Sequence, residues 1–127
     1  MRPSLLPFAA SLVLALAPAA LAAAPRAVVV DGFETLAPWT ANPADGVSLV
    51  LASDTGADGR AMRLDFDFHG GGGYAVARRA VSLDLSGDWR FTFRMRGACR
   101  PNNLEFKLVD ASGENVWWVN RRDVEFS

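Results

Sequence analysis

The chain has 127 residues, enough for one domain, and half of them are hydrophobic, with a net charge of −1. That balance excludes a broad nucleic-acid-binding surface and a polybasic membrane patch. A single cysteine, Cys99, excludes an intrachain disulfide and reads as a small, partly buried residue.

Residues 1–22 have the layout of a signal peptide. Arg2 is the basic start, residues 5–16 are the apolar stretch, and Ala20-Leu21-Ala22 is a small-x-small cleavage site. Pro7 and Pro18 interrupt the apolar run, which is too short to span a bilayer. The expectation is an exported protein, secreted or periplasmic. Removing Arg2 with the leader leaves the remainder slightly more acidic. Residues 26–127 then form the domain.

The rest of the chain predicts strands and turns, and no helix. Residues 28–30 are a short strand entering the Asp31-Gly32-Phe33-Glu34 turn, and Trp39 follows in a Pro-flanked loop. Val47, Leu49 and Leu51 share one face of a second strand. Residues 53–60, SDTGADGR, make a Gly/Asp turn. Met62, Leu64, Phe66 and Phe68 alternate with Arg63, Asp65, Asp67 and His69, the period-2 pattern of a half-buried strand. Residues 70–73, all glycine, are a flexible loop, and residues 74–79 are a strand expected to pair with residues 62–68 as a hairpin. Val81, Leu83 and Leu85 alternate again. Trp89, Phe91, Phe93 and Met95 alternate with Arg90, Thr92, Arg94 and Arg96, predicting a strand with its apolar side buried.

Residues 102–126 carry the most information. Leu104, Phe106 and Leu108 alternate with Asn103, Glu105 and Lys107. The run Asp110-Ala111-Ser112-Gly113-Glu114-Asn115 is a turn, and Val116-Trp117-Trp118-Val119 starts a second strand. Neighbouring strand residues face opposite ways, so Trp117 and Trp118 cannot both belong to one core. The expectation places Trp117 inside and Trp118 outside, beside Glu105, Lys107 and Asn120. An outward indole among amides and charges suits a sugar ring, with its apolar face on the indole and its hydroxyls on the polar groups. The alternative is that both indoles are covered. Short, regularly spaced strands with Gly/Asp turns predict an all-β antiparallel sandwich.

With the strands placed, the chain resembles the galactose-binding-like jelly rolls over about residues 28–127. The resemblance is carried by Asp31-Gly32-Phe33-Glu34, a following Trp, DTGADGRAMRLDFDF, the alternating aromatic strands and NNLEFKLVDASGENVWW. These are the non-catalytic carbohydrate-binding modules, family 11 type included, and the discoidin-like domains attached to bacterial glycoside hydrolases and surface proteins. The resemblance implies polysaccharide binding without catalysis. It implies contacts from Trp118, Glu105, Lys107, Asn120, Arg94 and Arg96, which share one face if their strands are neighbours. It also implies a structural calcium at Glu34 with Asp31 close by, since hard carboxylate oxygens suit that ion. In such modules a last strand carries an Asp that completes the calcium site. No such segment follows here, so the expectation is a sandwich lacking its last strands, the N-terminal piece of a larger secreted glycoside hydrolase. The alternatives are a structural or protein-interaction sandwich with no sugar site, and a truncated, non-functional fragment.

Other chemistry is weaker. Asp54, Gly56, Asp58, Gly59 and Asp65 fall at EF-hand spacing, but strands flank the turn and glycine stands where a ligand is required. Asp65 and Asp67 lie about 7 Å apart on one strand face, yet nothing distinguishes an acid from a nucleophile. Residues 70–73 lack the Gly-Lys-Ser/Thr ending of a phosphate loop. A single histidine, His69, lets the sequence argue neither a metal site nor a Ser/His/Asp arrangement.

Overall fold

A computed structural model describes residues 27–126. The expected leader lies outside them, as does Ser127. The described residues contain six strands and no helix. The strands are β1 (Thr40–Pro43), β2 (Ser48–Thr55), β3 (Arg60–Asp67), β4 (Ala75–Arg78), β5 (Asn102–Val109) and β6 (Val116–Val124). They pair antiparallel as β1 with β4, β2 with β3 and β5 with β6. The all-β antiparallel expectation holds, in three small sheets compatible with a sandwich.

The hairpins differ from the expected ones. Residues 62–68 pair backwards with β2 across the SDTGADGR turn, which is closed by the Gly56 amide donating to the Gly59 carbonyl at 2.9 Å. β4 leaves β3 and pairs with β1, inside the stretch expected to be a loop. The glycine run permits that departure. At Gly73 (φ +146°) a Cβ would stand 3.0 Å from both the Ala44 Cβ and a Val47 methyl, so only glycine fits the crossing.

The expected strands at residues 28–30, 81–85 and 89–95 do not form. The alternation at 89–95 survives without a ladder, because the two sides of the segment serve different hairpins. Phe91 and Phe93 pack on Phe106 of β5, with ring centroids 5.5 and 5.8 Å away. Arg94 reaches Asp58 at 3.0 Å, and Arg96 donates to the Thr55 carbonyl at 3.0 Å. The segment bridges β2–β3 to β5–β6 and pairs with neither.

The expected burial fails more widely. Only Val47, 8% exposed, is a buried hydrophobic among the described residues. Phe66, Trp89, Phe93 and Met95 are exposed, while Met62, Leu64, Phe68 and Phe91 are half-buried. Alternation selects a face but supplies no cover for it, and each sheet here has only two strands.

The best-tied point is Asp31. Its carboxylate accepts the Phe33 amide at 2.7 Å, the Trp39 indole N–H at 2.8 Å and the guanidinium of Arg79. Phe33 packs on Trp39 at 5.8 Å, and the Arg79 guanidinium lies over the same indole at 5.8 Å. Partial burial pushes the Asp31 carboxyl up, but those donors pull it down further, and the net shift is below its ordinary value. A depressed folded-state value contributes stability above the unfolded value and loses it as pH falls through the folded one. Asp31→Asn should therefore cost about 1–3 kcal/mol in denaturant unfolding at neutral pH. That deficit should shrink as the solution is taken below the ordinary carboxylate range.

Candidate functional site

The β5–β6 hairpin sorts its side chains by register. Leu108 faces Trp117 and Phe106 faces Val119 on one side; Lys107 faces Trp118 and Glu105 faces Asn120 on the other. The turn between them is held by Asp110. Its carboxylate accepts the Asn115 amide, the Ser112 hydroxyl at 2.7 Å and the Gly113 amide at 2.9 Å. The Asp110 amide in turn donates to the Asn115 carbonyl at 3.1 Å. Gly113 takes φ +79°, a conformation open to glycine at no steric cost. Foremost the Asn115 side chain, then Ser112, hold the Asp110 carboxyl down at about 2, so it stays ionised.

On the polar side the four expected residues come together. The Lys107 ammonium lies 4.6 Å from the centre of the Trp118 ring and 3.0 Å from the Glu105 carboxylate. Asn120 donates to the same carboxylate at 3.2 Å. Val109 and Val116, opposite one another, continue this face toward the turn. Trp118 is 56% exposed. Its indole is thus an accessible plate with a cation on its face, an acceptor pair beside it and an amide at the rim. The cation–π contact is worth about 0.5–1 kcal/mol at an exposed site, so another occupant can displace the ammonium at little cost.

Arg94 and Arg96 are not part of this face. They lie on the side of their segment away from Phe91 and Phe93 and are held by Asp58 and Thr55. The assumption that put them there, paired neighbouring strands, fails because residues 89–95 form no strand. Trp117 also departs from expectation. It is on the apolar side as the register demands, but it is 60% exposed rather than buried. With Leu108, Val81, Leu83 and Leu85 it lines an open groove of about 370 Å³.

The expected calcium ligands separate. Asp31 is taken by Arg79, Trp39 and Phe33, a set of donors that leaves a cation already in place. Glu34 points the other way, toward the SDTGADGR turn. Its Oε1 would stand 3.0 Å from a Cβ at Gly59. No cluster of three or more His, Cys, Asp or Glu able to hold a metal occurs among the described residues. The Asp65/Asp67 pair divides too. Arg63 binds Asp65 at 2.9 Å and Asp54 at 3.1 Å, whereas Asp67 turns to His69.

Sequence reasoning missed one grouping. Ser48, Asp67 and His69 meet at the open end of β2–β3, with the Ser48 hydroxyl 2.7 Å from the imidazole Nε2. The signal was the β2–β3 register, which no single-residue pattern states.

Compared with protein-family models, with curated proteins and with solved structures, the chain matches none.

Proposed function

We propose that the protein binds carbohydrate without catalysing its breakdown, as an exported jelly-roll module, with the Trp118 face of β5–β6 as the sugar platform. The observation that carries this is the joint placement of Trp118, Lys107, Glu105 and Asn120 on one accessible sheet face. A pyranose ring stacks its C–H face on an indole, and its hydroxyls seek a carboxylate, an ammonium and an amide at the edge. The ring takes the place of the Lys107 ammonium, which moves outward and donates to a hydroxyl. One open platform gives modest affinity, suited to the repeated units of a polysaccharide. A second reading, a protein-interaction sandwich, is favoured by the exposed Trp117 and its apolar groove on the opposite side.

The two tryptophans separate these readings. In affinity electrophoresis through gels containing neutral β-glucans or xylans, Trp118→Ala should abolish retention and Trp117→Ala should leave it. Both variants should fold. Trp117 is mostly exposed, so its loss should cost well under the roughly 3–5 kcal/mol of a buried aromatic. Retention lost with Trp117→Ala alone would move the platform to the apolar side and favour the interaction reading.

A structural calcium is the second part of the proposal, carried by Glu34 beside the SDTGADGR turn, whose backbone carbonyls supply further hard oxygens. An ion bound only by the folded state stabilises it. A chelator should lower the melting temperature of the protein, and added calcium should restore it in wild type but not in Glu34→Gln. An unchanged melting temperature would leave Glu34 an ordinary turn acid.

A further inference from the structure

The open end of the β2–β3 hairpin brings three chemistry-bearing side chains together. Ser48 opens β2 directly opposite Asp67, the last residue of β3. The chain then turns back on itself through His69 (φ +49°) and Gly70 (φ +76°), closed by the Gly71 amide donating to the Phe68 carbonyl at 2.8 Å. The left-handed conformation of His69 brings its ring beside the Ser48–Asp67 cross-strand pair. The imidazole Nε2 stands 2.7 Å from the Ser48 Oγ. Its Nδ1 faces the Asp67 carboxylate at 3.5 Å, and the other oxygen of that carboxylate accepts the His69 backbone amide at 2.7 Å. Asp67 therefore holds the His69 backbone and lies beside the Nδ1 edge of its ring. A carboxylate on the Nδ1 side favours the tautomer with its proton there, which leaves the Nε2 lone pair for the serine proton.

We infer that Ser48 is a reactive nucleophile that accepts small acyl groups from activated esters, with His69 as its base and Asp67 as the residue that positions His69. Ser48 Oγ attacks the ester carbonyl carbon and its proton passes to His69 Nε2. The carbon–oxygen bond to the leaving group then breaks, and that oxygen takes the proton from Nε2. The product is an acyl ester on Ser48; water then attacks the same carbonyl with His69 Nε2 taking its proton, the Ser48 Oγ–carbon bond breaks, and Oγ takes that proton back, releasing the free acid and restoring the hydroxyl. The three side chains are exposed, so the donor reaches them from solvent. An exposed site offers no walls to hold a long acyl chain, so small acyl groups such as acetyl are the fitting class. This site lies on a different hairpin from the Trp118 face and does not rest on the carbohydrate reading.

The test uses the full chain and p-nitrophenyl acetate. Tandem mass spectrometry after a short exposure should find the acetyl group on Ser48. Ser48→Ala should lose the adduct, and His69→Gln should slow its formation about 100-fold or more, the usual contribution of a positioned base. Asp67→Asn should slow acylation and shift the His69 ring ¹⁵N resonances toward the other tautomer, and Asp67→Glu should restore part of both. All three positions are on the exposed hairpin end, and circular dichroism checks that each of the four variants keeps its strands. Acetyl found on Lys107 or His69 but not on Ser48 in the wild-type protein overturns the inference without any variant. Equal acetylation of wild type and His69→Gln overturns it as well. Asp67→Asn with wild-type rate and resonances removes Asp67 from the arrangement.

Discussion

The Asp110 turn is the constraint from which the rest of the candidate site follows. Asn115, Ser112 and Gly113 all donate to one carboxylate, and the Asp110 amide closes back on Asn115. That closed turn sets Val109 opposite Val116, and the pairs after it follow as far as Leu104 with Arg121, where the register shifts: Leu108 with Trp117, Lys107 with Trp118, Glu105 with Asn120. A slip of one residue would exchange the two faces. It would put Trp117 among the charges and Trp118 against Phe106. The low value of the Asp110 carboxyl, due first to the Asn115 side chain, keeps this grip in force through the pH range in which an ordinary carboxylate begins to protonate.

Elsewhere the chain holds itself together by point contacts more than by a core. Asp31 joins the first described segment to Arg79 just past β4, Gly73 lets the chain cross against Val47, and the 91–96 segment spans two hairpins through Phe106 on one side and Asp58 and Thr55 on the other. Val47 is the only buried hydrophobic among the described residues, so little of the apolar area that stabilises a larger sandwich is withdrawn from water. The consequence for function is direct. Aromatic side chains that would be core in a closed sandwich stand at surfaces, and polar faces are positioned by strand pairing alone.

Much of this was legible in the sequence where the signal is local. The alternation of Leu104, Phe106 and Leu108 with Glu105 and Lys107 marks β5. The Asp-Ala-Ser-Gly-Glu-Asn run marks its turn, and together they separate Trp117 from Trp118. What failed depends on distant partners. Alternation at residues 89–95 predicts a strand, but a ladder needs a neighbour, and the two sides of that segment are engaged by different hairpins. The glycines between residues 62–68 and 74–79 imply a hairpin of those two stretches. The turn at residues 56–59, within SDTGADGR, gives that pairing to β2 instead. The contact between Asp31 and Arg79, 48 residues away, has no local signal either. Ser48 and His69 carry no mutual spacing signal, because 21 residues and a register lie between them.

β5 and β6 pair so that Lys107 lies on Trp118, and the polar face is the proposed open platform. Nuclear Overhauser contacts and ring-current shifts in the free and polysaccharide-bound protein test it most directly. Contacts are expected between the Lys107 side-chain methylenes and the Trp118 ring, with those methylene resonances shifted upfield. On adding polysaccharide, the upfield shift should disappear as a sugar ring takes the ammonium's place, while the contacts between Leu108 and Trp117 stay unchanged. Contacts from Lys107 to Trp117, or a response confined to Trp117 and Leu108, would contradict it.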